Sequence, residues 1–174
     1  MSIPMEVLSP RHQAIADLFD AHMAAEMKGD LEGTMATMDA DPHLINMASG
    51  TGGVGTAWVR DFYAHDLIGQ FFPADVEFIL ISRTINDERL VDEWVIRFTH
   101  DKVITHLLSG VAPTGRRVEV AFVVVVGVQE DKVAYEHVYW DQAGLLAQLG
   151  LLDPTGLPID TTTAARLLAA TGKG

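Results

Sequence analysis

Four residue types in this chain can move protons or hold charge in an apolar setting, and their spacing suggests which do so. In the stretch Leu90–His100, alternate positions carry Leu90, Asp92, Trp94, Ile96, Phe98 and His100. A strand turns alternate side chains to opposite faces, so this aromatic set would place Asp92 and His100 on an apolar interior face. Near the end of the chain, Val133–Trp140 offers two choices: Val133, Tyr135, His137 and Tyr139, running on to Asp141, or Ala134, Glu136, Val138 and Trp140. Both sets contain aromatics; we take the first as inward, which gives a cavity with two carboxylates and two imidazoles. Burial raises a carboxylate pKa and a nearby imidazolium lowers it, so such a set suits proton transfer near neutral pH. The expected catalytic residues are therefore Asp141, His137 and Asp92, and the expected substrate contacts are Tyr139, Trp94, Phe98, His100, Trp58 and Phe62. Each has a structural alternative: pairing for Asp92, helix capping for Asp141, and core packing for the aromatics.

Other chemistries lack their residues. There is no cysteine, hence no disulfide, thiolate nucleophile or cysteine-bound metal cluster. No Gly-x-Ser-x-Gly elbow is present, and Gly50–Gly55 lacks the Gly-Lys-Ser/Thr of a phosphate loop. His22 and Glu26 stand one helical turn apart, but two ligands do not make a metal site, so no metal is expected there. The 174 residues carry 24 acidic against 12 basic side chains, a formal charge of −12, which argues against nucleic acid and anionic lipid as partners. The N-terminus shows no signal-peptide pattern and the longest apolar run, Ala121–Val128, is too short to span a bilayer, so a soluble cytoplasmic protein is expected.

The elements that must position these side chains follow from periodicity and punctuation. Ser9-Pro10 starts a helix with Ile15, Leu18, Phe19, Met23 and Met27 along one face, ended by Gly29-Asp30. A second helix runs from Asp30 through Met38 and breaks at Asp41-Pro42; His43–Met47 reads as a short strand, and Thr56–Ile68 as a third helix. Asp75–Ile85 and Leu90–His100 form a hairpin, followed by strands Arg117–Val128 and Val133–Trp140, a helix at Gln142–Leu149 and another at Thr161–Ala170. The class is α+β: N-terminal helices covering a curved antiparallel sheet that encloses a pocket for a small hydrophobic molecule. One domain spans 1–174, with a core of about 10–152 and a helical extension over 153–174 covering the mouth or a dimer edge.

The segment Asp131-Lys132-Val133-Ala134-Tyr135-Glu136-His137-Val138-Tyr139-Trp140-Asp141, with Leu145-Leu146-Ala147-Gln148-Leu149-Gly150-Leu151 after it, resembles the closing signature of SnoaL-like proteins of the nuclear transport factor 2-like superfamily. Thr114-Gly115-Arg116-Arg117-Val118-Glu119 and Ala25–Glu32 are similar to the family's strand entry and helix break. The resemblance implies a cone-shaped, cystatin-like α+β barrel, a homodimer through the outer sheet face, and no metal or organic cofactor. SnoaL-like cyclases close a ring by an intramolecular aldol reaction, and their acid/base aspartate matches Asp141. The implied activity is cofactor-free proton transfer on a carbonyl-bearing ring, as a cyclase or isomerase. Two alternatives stand beside it: a non-catalytic ligand-binding or dimeric interaction module, and a hydrolase or dehydratase with an Asp–His-activated water.

Overall fold

A computed structural model describes residues 8–68 and 72–174. The leader-free reading of the N-terminus falls on residues 1–7, outside the described residues. Helix α1 (Pro10–Lys28) is capped at both ends as its sequence requires: the Ser9 hydroxyl accepts from the His12 N–H, Pro10 occupies the first turn, and Gly29 closes the helix at φ 73°. Its buried stripe runs Ile15, Ala16, Phe19, His22 and Glu26. The stripe thus turns away from Met27, which is 50% exposed, toward two polar residues whose partners lie across the core.

Helix α2 (Leu31–Thr37) is capped by the Asp30 carboxylate on Gly33 N–H, and runs directly into β1 (Met38–Asn46). This strand is longer than the sequence suggests. Pro42 ends no helix; it sits where the pairing register shifts between Met38 and His43, a place where a missing N–H is tolerated. The glycine-rich turn contributes a short edge strand, β2 (Gly52–Val54). Helix α3 (Thr56–Phe62) continues without a break into a π turn, Tyr63–Leu67, closed by the Ile68 N–H on the Tyr63 carbonyl at 2.8 Å. Phe62 and Leu67 point into the core, whereas Trp58 is 69% exposed.

The meander follows as β3 (Glu77–Ile85), β4 (Arg89–Thr99), β5 (Arg117–Gln129) and β6 (Lys132–Trp140). The weakly patterned stretch between β4 and β5 holds a single turn of helix, α4 (Thr105–Leu108), whose Leu107 and Leu108 are buried. The sheet order is β2-β1-β6-β5-β4-β3, antiparallel except for the parallel β1–β6 pair. The sheet is curved and unclosed, and α1 and α3 cover its concave face. Helix α5 (Gln142–Gln148) closes one end. Helix α6 (Thr163–Thr171) neither covers the cavity mouth nor stands free: Ala164 and Leu168 pack on Val95, with Ile79 and Ile81 beside them, on the convex face.

Candidate active site

Between the apolar cluster under α1 and α3 and the cluster around α4 and α5 lies a half-open cavity of about 80 Å³. Its wall is largely aromatic, with Phe62, Phe72, Phe78, Trp94, Phe122 and Trp140. The rings stack or meet edge to face, for example Phe122 on Trp140 at 5.3 Å and Phe72 against Phe78 at 5.4 Å. Among the described residues, Glu26, Glu136, Asn46 and His106 carry polar side chains to it.

Glu26 and Glu136 belong to a buried cluster with His22 and Tyr63. His22 Nε2 lies 3.0 Å from Glu26 Oε1, 3.0 Å from Glu136 Oε1 and 3.1 Å from the Tyr63 hydroxyl. Tyr63 donates to Glu136 Oε1 at 2.9 Å. On the other side of the ring, Nδ1 is 2.6 Å from Thr37 Oγ1, and that hydroxyl gives its own hydrogen to the Thr34 carbonyl. Nδ1 must therefore donate. Nε2, facing two carboxylates, must donate as well, so the geometry is that of an imidazolium. Burial opposes the charge, but Glu136 and Glu26 outweigh it and push the His22 pKa up to about 10. Glu26 moves upward, because burial dominates over the stabilising imidazolium. Glu136 moves downward: burial is outweighed there by His22 and by the Tyr63 hydroxyl. One imidazolium between two buried carboxylates thus separates them, an ionised Glu136 and a Glu26 inclined to hold a proton. Burial also keeps His106 neutral, at about 4, against the opposing pull of the Asp66 backbone.

Local structure explains how four sequence-distant residues meet. His22 and Glu26 are one turn apart on α1. Glu136 comes from the concave face of β6, and Tyr63 opens the π turn that follows α3, a backbone irregularity frequent at functional sites. His22, Glu26 and Glu136 are the group among the described residues whose donor atoms lie close enough together for a metal ion. With both ring nitrogens donating, a cation there would first have to displace the Nε2 proton.

The residues expected to form the site divide. Trp94 and Phe62 line the cavity. Asp92 is on the concave face and fully buried, but its two oxygens accept a bidentate pair from Arg83, each at 2.7 Å. Phe98 is packed in the core edge to face with Phe72, and His100 is buried with Thr114 as its neighbour. Trp58 faces outward. The inward face of β6 is the other of the two candidate sets: Glu136, Val138 and Trp140 reach the cavity, so His137 and Tyr139 lie on the convex face. The reason is Gly127 on β5. It leaves the space filled by the Tyr135 ring, on which His137 stacks, and this holds that aromatic set outside. Asp141 is exposed and caps α5, accepting from the Gly144 N–H at 2.9 Å. Glu136, Tyr63 and Asn46 were not singled out from sequence, and Glu26 was weighed there only with His22 as a metal ligand, although an acid among apolar residues at period two, Ala134-x-Glu136-x-Val138, is a readable sign of a compensated interior charge.

Among curated proteins, none matches the sequence closely. Solved structures match it in fold. A SnoaL-like protein of Jannaschia sp. CCS1 superposes with a TM-score of 0.68 at 16% identity, covering 85% of this chain and 99% of its own. TsrD of Streptomyces laurentii gives 0.62 at 18% identity, with coverage of 84% and 100%. IdmH of Streptomyces antibioticus gives 0.57 at 25% identity, with 80% and 99%. The model of the SnoaL-like polyketide cyclase family matches residues 16–149, and the chain belongs to that family.

Proposed function

We propose that this protein is a cofactor-free acid/base catalyst whose cavity moves a proton at a carbon beside a carbonyl, with Glu26 as the proton carrier. The supporting observation is the separation of the two buried carboxylates by His22: Glu136 is held ionised, while burial raises Glu26 into the role of a group that can both take and return a proton. In the forward step the Glu26 carboxylate accepts the α-hydrogen and the C–H electron pair passes into the enolate. In the return step Glu26 gives the proton back to carbon, completing an isomerisation; where the enolate carbon instead bonds to an internal carbonyl carbon, the C=O π pair becomes an alkoxide and Glu26 gives the proton to that oxygen, completing an aldol closure. Asn46 gives one amide hydrogen to Thr51 Oγ1 at 3.0 Å; its second is a donor for the developing oxyanion. Tyr63 and His22 act by positioning and charging the carboxylates.

The cavity size limits the substrate. About 80 Å³ is little over half the roughly 150 Å³ apolar cavity that holds benzene, so it receives the reacting end of an apolar molecule rather than a fused polycycle. Among the described residues the lining contains no Lys or Arg, which disfavours a substrate with a carboxylate or phosphate at that end.

The test is proton exchange in D₂O on small enolisable ketones, butanone and cyclopentanone, followed by NMR. Wild-type protein is expected to accelerate α-deuteration over Glu26→Gln by ~10²-fold or more, the ordinary contribution of a positioned base. Asp141→Asn is expected to retain the wild-type rate. Equal rates for wild type and Glu26→Gln would overturn the reading; loss of exchange in Asp141→Asn alone would return the proton to Asp141.

A further inference from the structure

We propose that His43 and His137, on the convex face of the sheet, form a binding site for a divalent transition metal of the zinc, nickel and copper type, clamping β1 to β6. The two Nε2 atoms lie 3.0 Å apart. At that distance only one of the nitrogens carries the hydrogen between them, and the other presents a lone pair. A metal replaces that single proton. At metal–nitrogen bonds of about 2.05 Å, a 3.0 Å separation corresponds to an N–metal–N angle of roughly 95°, within the range of tetrahedral and square-planar sites. Imidazole ligation selects zinc, copper and nickel over magnesium and calcium, which prefer oxygen.

The pair is built rather than incidental. His43 lies across from Tyr135, and Ile45 across from His137, in the parallel β1–β6 ladder, so the imidazoles come from adjacent strands. Tyr135 packs beside both: it stacks on His43 at 5.1 Å and 12° and on His137 at 4.7 Å and 25°, while the two imidazoles themselves stand 5.1 Å apart, so the three rings form a triangle. The Tyr135 ring in turn occupies the place where Gly127 has no side chain; a Cβ there would fall 2.0 Å from the ring. Both imidazoles are thereby packed against one ring, tilted 37° to each other, before any ion arrives, which lowers the entropy lost on binding. Beside His43 runs a groove of about 610 Å³ whose lining includes Asp39, Asp41 and Glu88 against one basic residue, Arg89. That excess of acid attracts cations to the site. Two protein ligands leave the remaining positions to water, so the ion exchanges freely.

The inference is independent of the proton-transfer reading, since it uses the opposite face of the sheet. Yet β6 carries Glu136 next to His137, and β1 carries Leu44 next to His43, so the ion stiffens the two strands that support the cavity.

The experiment is calorimetric titration of chelator-treated protein with zinc and nickel chlorides, with the mass followed by light scattering. One equivalent per chain, at unchanged mass, is expected. His43→Gln and His137→Gln should each weaken binding at least tenfold, while Glu26→Gln leaves it intact. In wild-type protein, substoichiometric Cu²⁺ should broaden the His43 and His137 imidazole NMR signals before any others. Four results would overturn the proposal: no binding up to millimolar metal, unchanged affinity in both histidine variants, loss of binding in Glu26→Gln instead, or one metal per two chains with doubled mass.

Discussion

Raising the pH from 7 to 9 should destabilise this protein by the free energy of holding one buried proton. His22 titrates near 6.5 when exposed in the unfolded chain and at about 10 in the folded one. A folded pKa above the unfolded value means that the stabilisation is complete below pH 6.5 and is lost as pH rises toward 10. Between those limits the folded state keeps a proton that the unfolded state has released. Stability then falls by between 1 and 2 kcal/mol per pH unit, about 3 kcal/mol from pH 7 to pH 9. The window isolates His22 well. The lowered pKa values of His100, His106 and His137 make those residues act below 6.5, and the lowered Glu136 acts below its ordinary range. Tyr63, raised by burial, acts above 10. Glu26, raised by burial, contributes a slope of the same sign that begins in the ordinary carboxylate range, below this window. Urea denaturation at pH 6.5, 7, 8 and 9 measures the profile, and His22→Gln should flatten it. An NMR titration of the His22 imidazole gives a second readout, with no change of protonation expected between pH 6 and 9. A flat wild-type profile, or an imidazole titrating near 6.5, would refute the assignment of an imidazolium between two carboxylates.

Three other perturbations separate structural from chemical roles. Asp92→Asn weakens the bidentate pair but leaves the Arg83 guanidinium its second partner, Asp20 at 2.9 Å, and should cost about 1–3 kcal/mol, seen as a lower denaturation midpoint. Asp141→Ala removes the cap of α5 and should lower stability by about 1 kcal/mol while ketone exchange continues, measured on the same protein sample. Gly127→Ala drives a Cβ into the Tyr135 ring; we expect a loss of about 1–3 kcal/mol, with the ring-current shifts of His43 and His137 disappearing from the NMR spectrum.

Much of the fold is legible because its signals are local. The β3–β4 hairpin, β5, β6 and α5 lie within a few residues of where periodicity and turn residues put them, and the concave face of β4 is the aromatic one. β1 is longer than expected because Pro42 lies at an irregularity in the ladder, and a proline ordinarily reads as a break. The candidate site is harder to read. The spacing of His22 and Glu26 is visible on α1, but the residue that makes it meaningful, Glu136, is 110 positions farther along than Glu26. Alternation in β6 offers aromatics on both faces; the outer set packs where Gly127, on a neighbouring strand, leaves room for Tyr135, while His22 and Tyr63 meet Glu136 on the inner one, and none of these partners is near in sequence. Convex-face packing by α6 gives β4 an apolar residue, Val95, on its outer side as well, which blurs the period-two pattern there.

The π turn at Tyr63 sets an unusual mutational sensitivity. A π turn is an α-helix with one residue too many, and each helical residue accounts for about 100° of rotation. Deleting Ala64 would restore a regular helix and swing Tyr63 relative to Leu67 and Ile68 by about that angle. Either Tyr63 leaves Glu136 or the cavity wall beyond it turns away. For this segment the length of the chain matters as much as its side chains, and a library of single-residue deletions across 60–68 would find the site where a library of substitutions sees only a helix.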